Sequence, residues 1–400
     1  MHILFITTHF PPKRGGVESR IALYLDFLEK RNNFKVTVLT YENRYAEGFV
    51  DYWKRTRVIR IKVPPSLLQY MRGLKSVSTL NSIPKQAMYL LLHTYYLFKG
   101  ILINFREVCQ ADKIVVVGAL VESVAGYILS LLKRKKYAVR WCTDLSGALV
   151  NTAVKLTLQR ASSIGVNGID VKKKMVKLIG QKGHRIFVSK HPVNTKVFHP
   201  VSQIKARTIL NLPSSKFVIL FAAALNEVKF CDLTVKVASI LLEKDSDFFF
   251  VIIGEGPLED AVKKLEKQHK MNVLFINHFV DLEKLNLYMN AADIIIGSAD
   301  LYYPSRLVLE SLACGVPVLL FNTSVHKEKR IRSLQFKIPL DNVFTVNPSE
   351  YDIVRFFLLN KTKIRQLRND QSLIEVSRHY IQQNYEAEKI LEIEFQNLLN

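Results

Sequence analysis

Residues 302–320 read YYPSRLVLESLACGVPVLL, and inside this apolar stretch stands one carboxylate, Glu310. A carboxyl group among Leu, Val and Ala requires a hydrogen-bonding partner, and a ligand hydroxyl serves as well as a protein group. The opposing reading is a solvated glutamate on an ordinary surface helix. A second stretch, Gly15-Gly16, follows an apolar run and precedes a helical pattern. Such a loop lets a backbone come close to a ligand, and the helix amino end behind it favours an anion. A plain tight turn is the opposing reading there. A third, Gly254-Glu255-Gly256-Pro257, is a turn that Pro257 leads into a helix.

These residues need elements to hold them. Pro304 and Ser305 open and cap a helix over 307–314, Leu307, Leu309 and Leu312 give it an apolar face, and Gly315 stops it. The run 316–320 that follows suits a parallel strand covered on both faces. Earlier in the chain, a strand over 1–7, the loop 9–16, a helix over 17–30 and a strand over 34–40 form a right-handed βαβ unit. Its loop lies at the carboxyl end of the first strand, where open α/β sheets take ligands. Strands over 113–117, 138–142, 161–166 and 185–189 continue the alternation. It restarts with strands over 216–223, 248–253, 273–276 and 294–296, interleaved with helices, and a last helix covers 377–399. Two doubly wound α/β halves follow, joined at 191–200, where two prolines interrupt any periodicity.

With 57 Lys and Arg against 35 Asp and Glu, the 400-residue chain has a formal charge of +22, which implies an anionic partner. Nucleic acid is set aside, because no recognition helix, zinc-ligand spacing or aromatic RNA-binding motif is present. A nucleotide or an acidic membrane surface remains. From 53 to 75, Lys54, Arg55, Arg57, Arg60, Lys62, Arg72 and Lys75 alternate with Trp53, Leu67, Leu68, Tyr70 and Met71, and 87–105 reads as one or two amphipathic helices. Basic residues beside aromatic ones suit an anionic membrane surface; a solvated edge strand and a core helix are the alternative. The four cysteines form no paired motif, and reduced thiols in a cytoplasmic protein account for them. The apolar run 3–6 is too short for an export signal. The expected location is cytoplasmic and peripheral at the cytoplasmic membrane face.

HFPPKRGGVE at 9–18, HPVNTKVFHP at 191–200, GEGP at 254–257, AAD at 291–293 and LESLACGVPV at 309–318 occur in this order along the chain. In these stretches it resembles the retaining glycosyltransferases of family 4. The resemblance implies the α/β GT-B fold: two facing Rossmann-like, doubly wound domains with an interdomain cleft, and a C-terminal crossover helix. The domains would be 1–196 on the acceptor side, 197–376 for the donor, and 377–400 packing back on the first. It also implies transfer of a sugar from a nucleotide sugar, with retention, and the basic, partly aromatic face points to a lipid-linked or glycan acceptor. No metal and no resident cofactor are expected.

By the same resemblance Glu310 holds the ribose, Ser305, Arg306 and Leu307 meet the diphosphate, and Lys229 neutralises it. Gly15 and Gly16 approach the diphosphate or the acceptor, Gly254, Phe279 and Tyr302 line the donor side, and Thr143 and Asp144 the acceptor side. The chemistry is coherent: a leaving nucleoside diphosphate gains negative charge, which a cation and a helix amino end stabilise.

Four positions depart from the family pattern. The first of two paired glutamates falls on Tyr302, an arginine before the lysine on Ala224, a glycine after it on Phe230, and a histidine on Thr143. Two readings follow. In an active, divergent transferase the Tyr302 phenol bonds the sugar and Arg306 replaces the cation missing at Ala224. In a degenerate domain the chain binds nucleotide sugar or glycan, or supports an active partner, without turnover.

Overall fold

The structure is a computed structural model that describes residues 1–11, 15–41, 52–64, 66–67, 83–142, 148–180, 185–278, 280–300, 303–326, 329–333 and 337–400. It divides into two compact units, Met1–Lys190 with Glu388–Asn400, and His191–Ala387.

The first unit holds β1 (His2–Ile6), β2 (Lys35–Tyr41), β3 (Tyr52–Trp53), β4 (Thr56–Ile61), β5 (Lys113–Gly118), β6 (Tyr137–Trp141), β7 (Ala161–Val166) and β8 (Ile186–Val188). Their order in the sheet is β3-β4-β2-β1-β5-β6-β7-β8, with β3 antiparallel to β4 and the other pairs parallel. Runs such as HILFI and KIVVVG are apolar throughout because helices cover both faces. Helices Ile83–Ile103, Leu120–Lys133, Ala148–Leu158 and Ile169–Ile179 share one core cluster, through Leu97, Leu129, Val154 and Met175. Helices Gly16–Glu29 and Ala387–Leu399 share another, through Tyr24 and Phe395. The strand order reverses between β1 and β5, which makes their carboxyl ends the switch point.

The basic stretch predicted to run along a membrane from 53 is tied to protein groups where it is described. Lys54 pairs with Asp26, Arg57 Nε lies 2.9 Å from Glu107, and Arg60 Nη2 donates to the Pro11 carbonyl at 3.2 Å. Leu68, Tyr70, Met71, Arg72 and Lys75 lie outside the described residues.

In the second unit the strands are β9 (Phe217–Ala222), β10 (Phe248–Ile253), β11 (Val273–Ile276), β12 (Ile294–Gly297), β13 (Ala299–Asp300), β14 (Tyr303–Pro304), β15 (Val318–Phe321), β16 (Thr323–His326), β17 (Lys329–Ser333) and β18 (Val343–Val346). Six of them form a parallel sheet in the order β11-β10-β9-β12-β15-β18, and β13–β14 and β16–β17 are separate antiparallel pairs. The switch point lies between β9 and β12. Asp293, ahead of β12, accepts from the Val218 amide at 2.6 Å and from Arg207 at 2.8 Å, so this motif aspartate braces the start of the sheet.

Two segments differ from their sequence expectation. Residues 191–200, read as a connector, belong to the second unit: the His199 amide donates to Asn286 at 3.2 Å, the Val201 amide to Asn290 at 2.8 Å, and Arg378 to the Thr195 carbonyl at 3.2 Å. The boundary therefore falls at Lys190/His191 rather than after 196. The helix expected over 377–399 is two, Gln371–Tyr385 and Ala387–Leu399. At the break Glu386 takes extended angles, φ −53° and ψ 128°. Val193 absorbs the freed backbone groups, donating to the Tyr385 carbonyl and accepting from the Ala387 amide, both at 2.8 Å. The segment that joins the first unit accordingly starts at Glu388.

Candidate functional site

At the carboxyl edge of the second sheet the loops after β9 and β10 are laced together. The Ala223 amide donates to Ile253, that of Leu225 to Glu255, and that of Leu258 to Leu225, at 3.0–3.1 Å. The approach is close enough to require glycine: at Gly254, whose φ is +152°, a Cβ would lie 2.0 Å from the Ala223 carbonyl oxygen. Gly254 thus owes its identity to loop packing as much as to any ligand.

The loop after β9 ends in a 3-10 turn, Glu227–Lys229. The Asn226 side chain accepts from the Lys229 amide at 3.0 Å, which fixes the backbone while the lysine side chain stays half-buried at the edge. Phe230 follows with φ +59°, a left-handed conformation that favours glycine. Its ring is buried against Phe321, with centroids 4.7 Å apart. Phe230 therefore combines a backbone that suits glycine with a core side chain. Ala224, where the resemblance has an arginine, is exposed.

From Gly297 the chain leaves β12 at this same edge and returns at the opposite end of β15, so the intervening helix Arg306–Ala313 starts at the carboxyl edge. Ser305 is its N-cap residue but makes no side-chain cap, and its Oγ is buried without a hydrogen-bond partner among the described residues. The first-turn amides are those that an anion takes at a helix start. The helix ends in a glycine turn: Gly315 has φ +70°, its amide donates to Leu312, and that of Val316 donates to Ser311, both at 3.0 Å.

Glu310 is 3% exposed, so it is no solvated surface glutamate. Its partner is Arg306, one turn earlier, with Nε 2.9 Å from Oε1. Burial raises the carboxyl pKa, and the Arg306 charge opposes that shift. The structure thus places Arg306 on Glu310, whereas the sequence reading assigned it to a phosphate. Leu307 is half-buried in the same first turn. Tyr302 and Phe279 lie outside the described residues.

In the first unit, Gly15 and Gly16 start the helix after β1. A Cβ on Gly15 would lie 2.5 Å from Glu18 Oε2, whereas Gly16 faces open space. The atom near Gly15 is the far end of a flexible side chain, so packing does not demand glycine there; Glu18 itself is buried and accepts from His9 Nδ1 at 3.1 Å. A second buried carboxylate, Glu122, accepts from the amides of Thr8 at 3.2 Å and Ala119 at 2.9 Å, joining the loops after β1 and β5 across the switch point. Sequence reasoning missed both acids, although each stands three residues into a helix that follows a glycine. Thr143 and Asp144 lie outside the described residues, and no three His, Cys, Asp or Glu side chains form a metal-holding group among those described.

Residues 202–329 match the family model described as "Glycosyl transferases group 1". D-inositol 3-phosphate glycosyltransferase from Arthrobacter sp. (strain FB24) is 28% identical over 132 residues, 32% of this chain and 31% of that one. The chain spans about a third of the length of the curated relatives it matches. Sucrose-phosphate synthase from Thermosynechococcus elongatus superposes with a TM-score of 0.72 at 17% identity, covering 99% of this chain and 97% of that one. HepE from Anabaena, solved with UDP and glucose, superposes with a TM-score of 0.68 at 15% identity, covering 100% and 99%. The fold is that of the GT-B glycosyltransferases, two Rossmann-like α/β units.

Proposed function

We propose that this chain transfers a sugar from a nucleotide sugar to a glycan or lipid-linked acceptor, with retention, at the cytoplasmic membrane face. The observation that carries the reading is the start of helix Arg306–Ala313. It offers an anion its first-turn amides and a Ser305 hydroxyl buried without a hydrogen-bond partner among the described residues, at the carboxyl edge of a sheet, with the buried Glu310 one turn further on. The match over 202–329 covers this same stretch.

In the reaction the diphosphate sits on the amides of Arg306 and Leu307, and Glu310 accepts hydrogen bonds from the ribose hydroxyls. Lys229 neutralises the charge that develops as the glycosidic bond breaks, so that lysine and helix end together do what a metal ion does in other sites. Incubation with a panel of nucleotide sugars is expected to release nucleoside diphosphate from at least one. Measurable nucleotide binding with no release from any donor would sink the reading.

The ion pair between Arg306 and Glu310 favours a second reading, a domain that binds nucleotide sugar or glycan, or supports an active partner, without turnover, because the ribose acceptor already has a protein partner. Nucleoside diphosphate release separates the two readings, and Arg306→Ala tests the role given to Glu310. In the transferase reading Glu310 must be ionised to accept two hydroxyls. Its pKa is raised by burial and held back by Arg306, so donor affinity should fall as pH drops through that raised value. Removing Arg306 should move the fall to higher pH and weaken binding about tenfold near neutrality. Donor Kd measured by calorimetry across pH tests this; a pH profile identical to that of the unaltered protein would leave Glu310 without the role.

A further inference from the structure

We propose that the outer surface of one helical layer in the first unit docks on an anionic lipid bilayer, with helix Ile83–Ile103 lying in the plane of the interface. The proposal rests on the membrane-side reading of the acceptor for its purpose, but the surface stands on its own observations.

The inner face of this helix is fully committed. Leu97 and Ile101 are buried, a Cβ on Gly100 would lie 2.5 Å from Ile61 Cδ1, and the Tyr41 hydroxyl donates to the His93 carbonyl at 2.8 Å. The outer face is apolar as well. Met88, Leu91, Tyr95 and Leu102 are all exposed and recur at helical spacing, so they form one stripe, which Ile103 at the helix end and Phe105 just past it extend. Leu91 is 66% exposed and Ile103 71%, values that a soluble helix rarely repeats along one face.

A second element widens the stripe. Helix Leu120–Lys133 packs beside the first, and its last turn exposes Leu131 and Leu132. Lys133 Nζ donates to the carbonyls of Cys109 at 2.5 Å and Ala111 at 2.7 Å, which pins this helix end to the segment that follows Phe105. Two apolar helix ends are thereby fixed next to each other.

Charge selects the occupant. Lys99 lies on the stripe four residues after Tyr95, and Arg106, Arg134, Lys135 and Lys136 are exposed at its end. Helix Ile83–Ile103 contains no acidic residue, and the one acid of helix Leu120–Lys133, Glu122, is buried. Nearby, Glu107 is paired with Arg57 and Asp112 accepts from the His2 amide. A second copy of the chain would bring another +22 to this face and be repelled. An anionic bilayer attracts it instead: the apolar side chains enter the headgroup boundary while the lysine and arginine heads reach lipid phosphates. The helix lies on the membrane rather than crossing it, since no helix among the described residues is long and apolar enough to span.

The test is co-sedimentation of the full chain with phosphatidylcholine vesicles, with and without about 30 mol % phosphatidylglycerol. Binding is expected to be about tenfold or more tighter to the anionic vesicles and to weaken with salt. Leu91→Glu with Ile103→Glu, and separately Lys135→Glu with Lys136→Glu, should each weaken it about tenfold while the melting temperature holds. Equal binding to both vesicles, binding to neither, variants that bind like the unaltered protein, or self-association abolished by the Leu91/Ile103 pair would each overturn the proposal. Nucleoside diphosphate release on the same preparations keeps the two readings apart. No vesicle binding by the unaltered protein with release intact removes only the docking surface; vesicle binding without release from any donor removes the transferase and leaves the surface.

Discussion

Replacing Glu394 with alanine is expected to cost the first unit about 3–5 kcal/mol, a large part of a typical domain's stability. Glu394 is 1% exposed on helix Ala387–Leu399. Arg20 Nη1 donates to its Oε2 at 2.8 Å and the Tyr24 hydroxyl to its Oε1 at 2.5 Å, and Arg140 Nε also lies 2.5 Å from Oε1. That last contact is a charge contact rather than a well-aligned hydrogen bond, since Arg140 Nε has no correctly directed acceptor. Alanine would leave two buried guanidinium groups without their counter-charge, which is the costly way to break a buried pair. Denaturant unfolding measures the loss, and a change under about 1 kcal/mol would show that the arginines find other partners. The pH dependence carries a sign. Burial raises the Glu394 pKa, but Arg20, Arg140 and the Tyr24 hydroxyl outweigh it and hold the carboxyl below its ordinary value. A depressed folded-state value means that the stabilisation is present above the unfolded carboxylate pKa, about 4.3, and is lost as pH falls through the folded one. The alanine variant should lack that acid limb.

Lys229→Ala is expected to lower kcat about 10²–10³-fold while leaving the unfolding midpoint unchanged. The split follows from where the residue sits. Its amide is held by Asn226, and its side chain is half-buried at the sheet edge, so truncation removes a charge without opening a core. In the proposed reaction the Lys229 cation faces the leaving diphosphate and acts mainly in the transition state, so kcat should fall further than donor affinity. Lys229→Arg should recover part of the rate. A variant within twofold of the unaltered enzyme would remove Lys229 from the reaction.

What the sequence made legible was local. The expected strands over 161–166, 248–253 and 273–276 are β7, β10 and β11 to the residue, because continuous apolar runs between turn signals leave little choice of boundary. The pair formed by Arg306 and Glu310 was legible in principle, as four-residue spacing on a helix brings such side chains together. It was read instead through the ligand each was expected to meet. The cluster around Glu394 was not legible, since Arg20 and Glu394 stand 374 positions apart and only the finished fold makes them neighbours. The break at Glu386 was hidden likewise. Nothing at that residue forbids a helix; the strand-like pairing with Val193 wins by taking up both backbone groups next to it. Residues 191–200 look like a connector because their hydrogen-bond partners, Asn286 and Asn290, lie on a distant helix.

Phe230 and Phe321 constrain one another. A phenylalanine held at φ +59° carries backbone strain of roughly 1–2 kcal/mol that glycine would not, and the burial of its ring on Phe321 is what offsets it. Without a large apolar neighbour at 321, an aromatic residue at 230 would be a net loss. Glycine at 230 would relieve the backbone but empty the space that the ring fills beside the turn carrying Lys229. The two phenylalanines are therefore coupled, and the turn that carries Lys229 is held from the core as well as by its own hydrogen bonds.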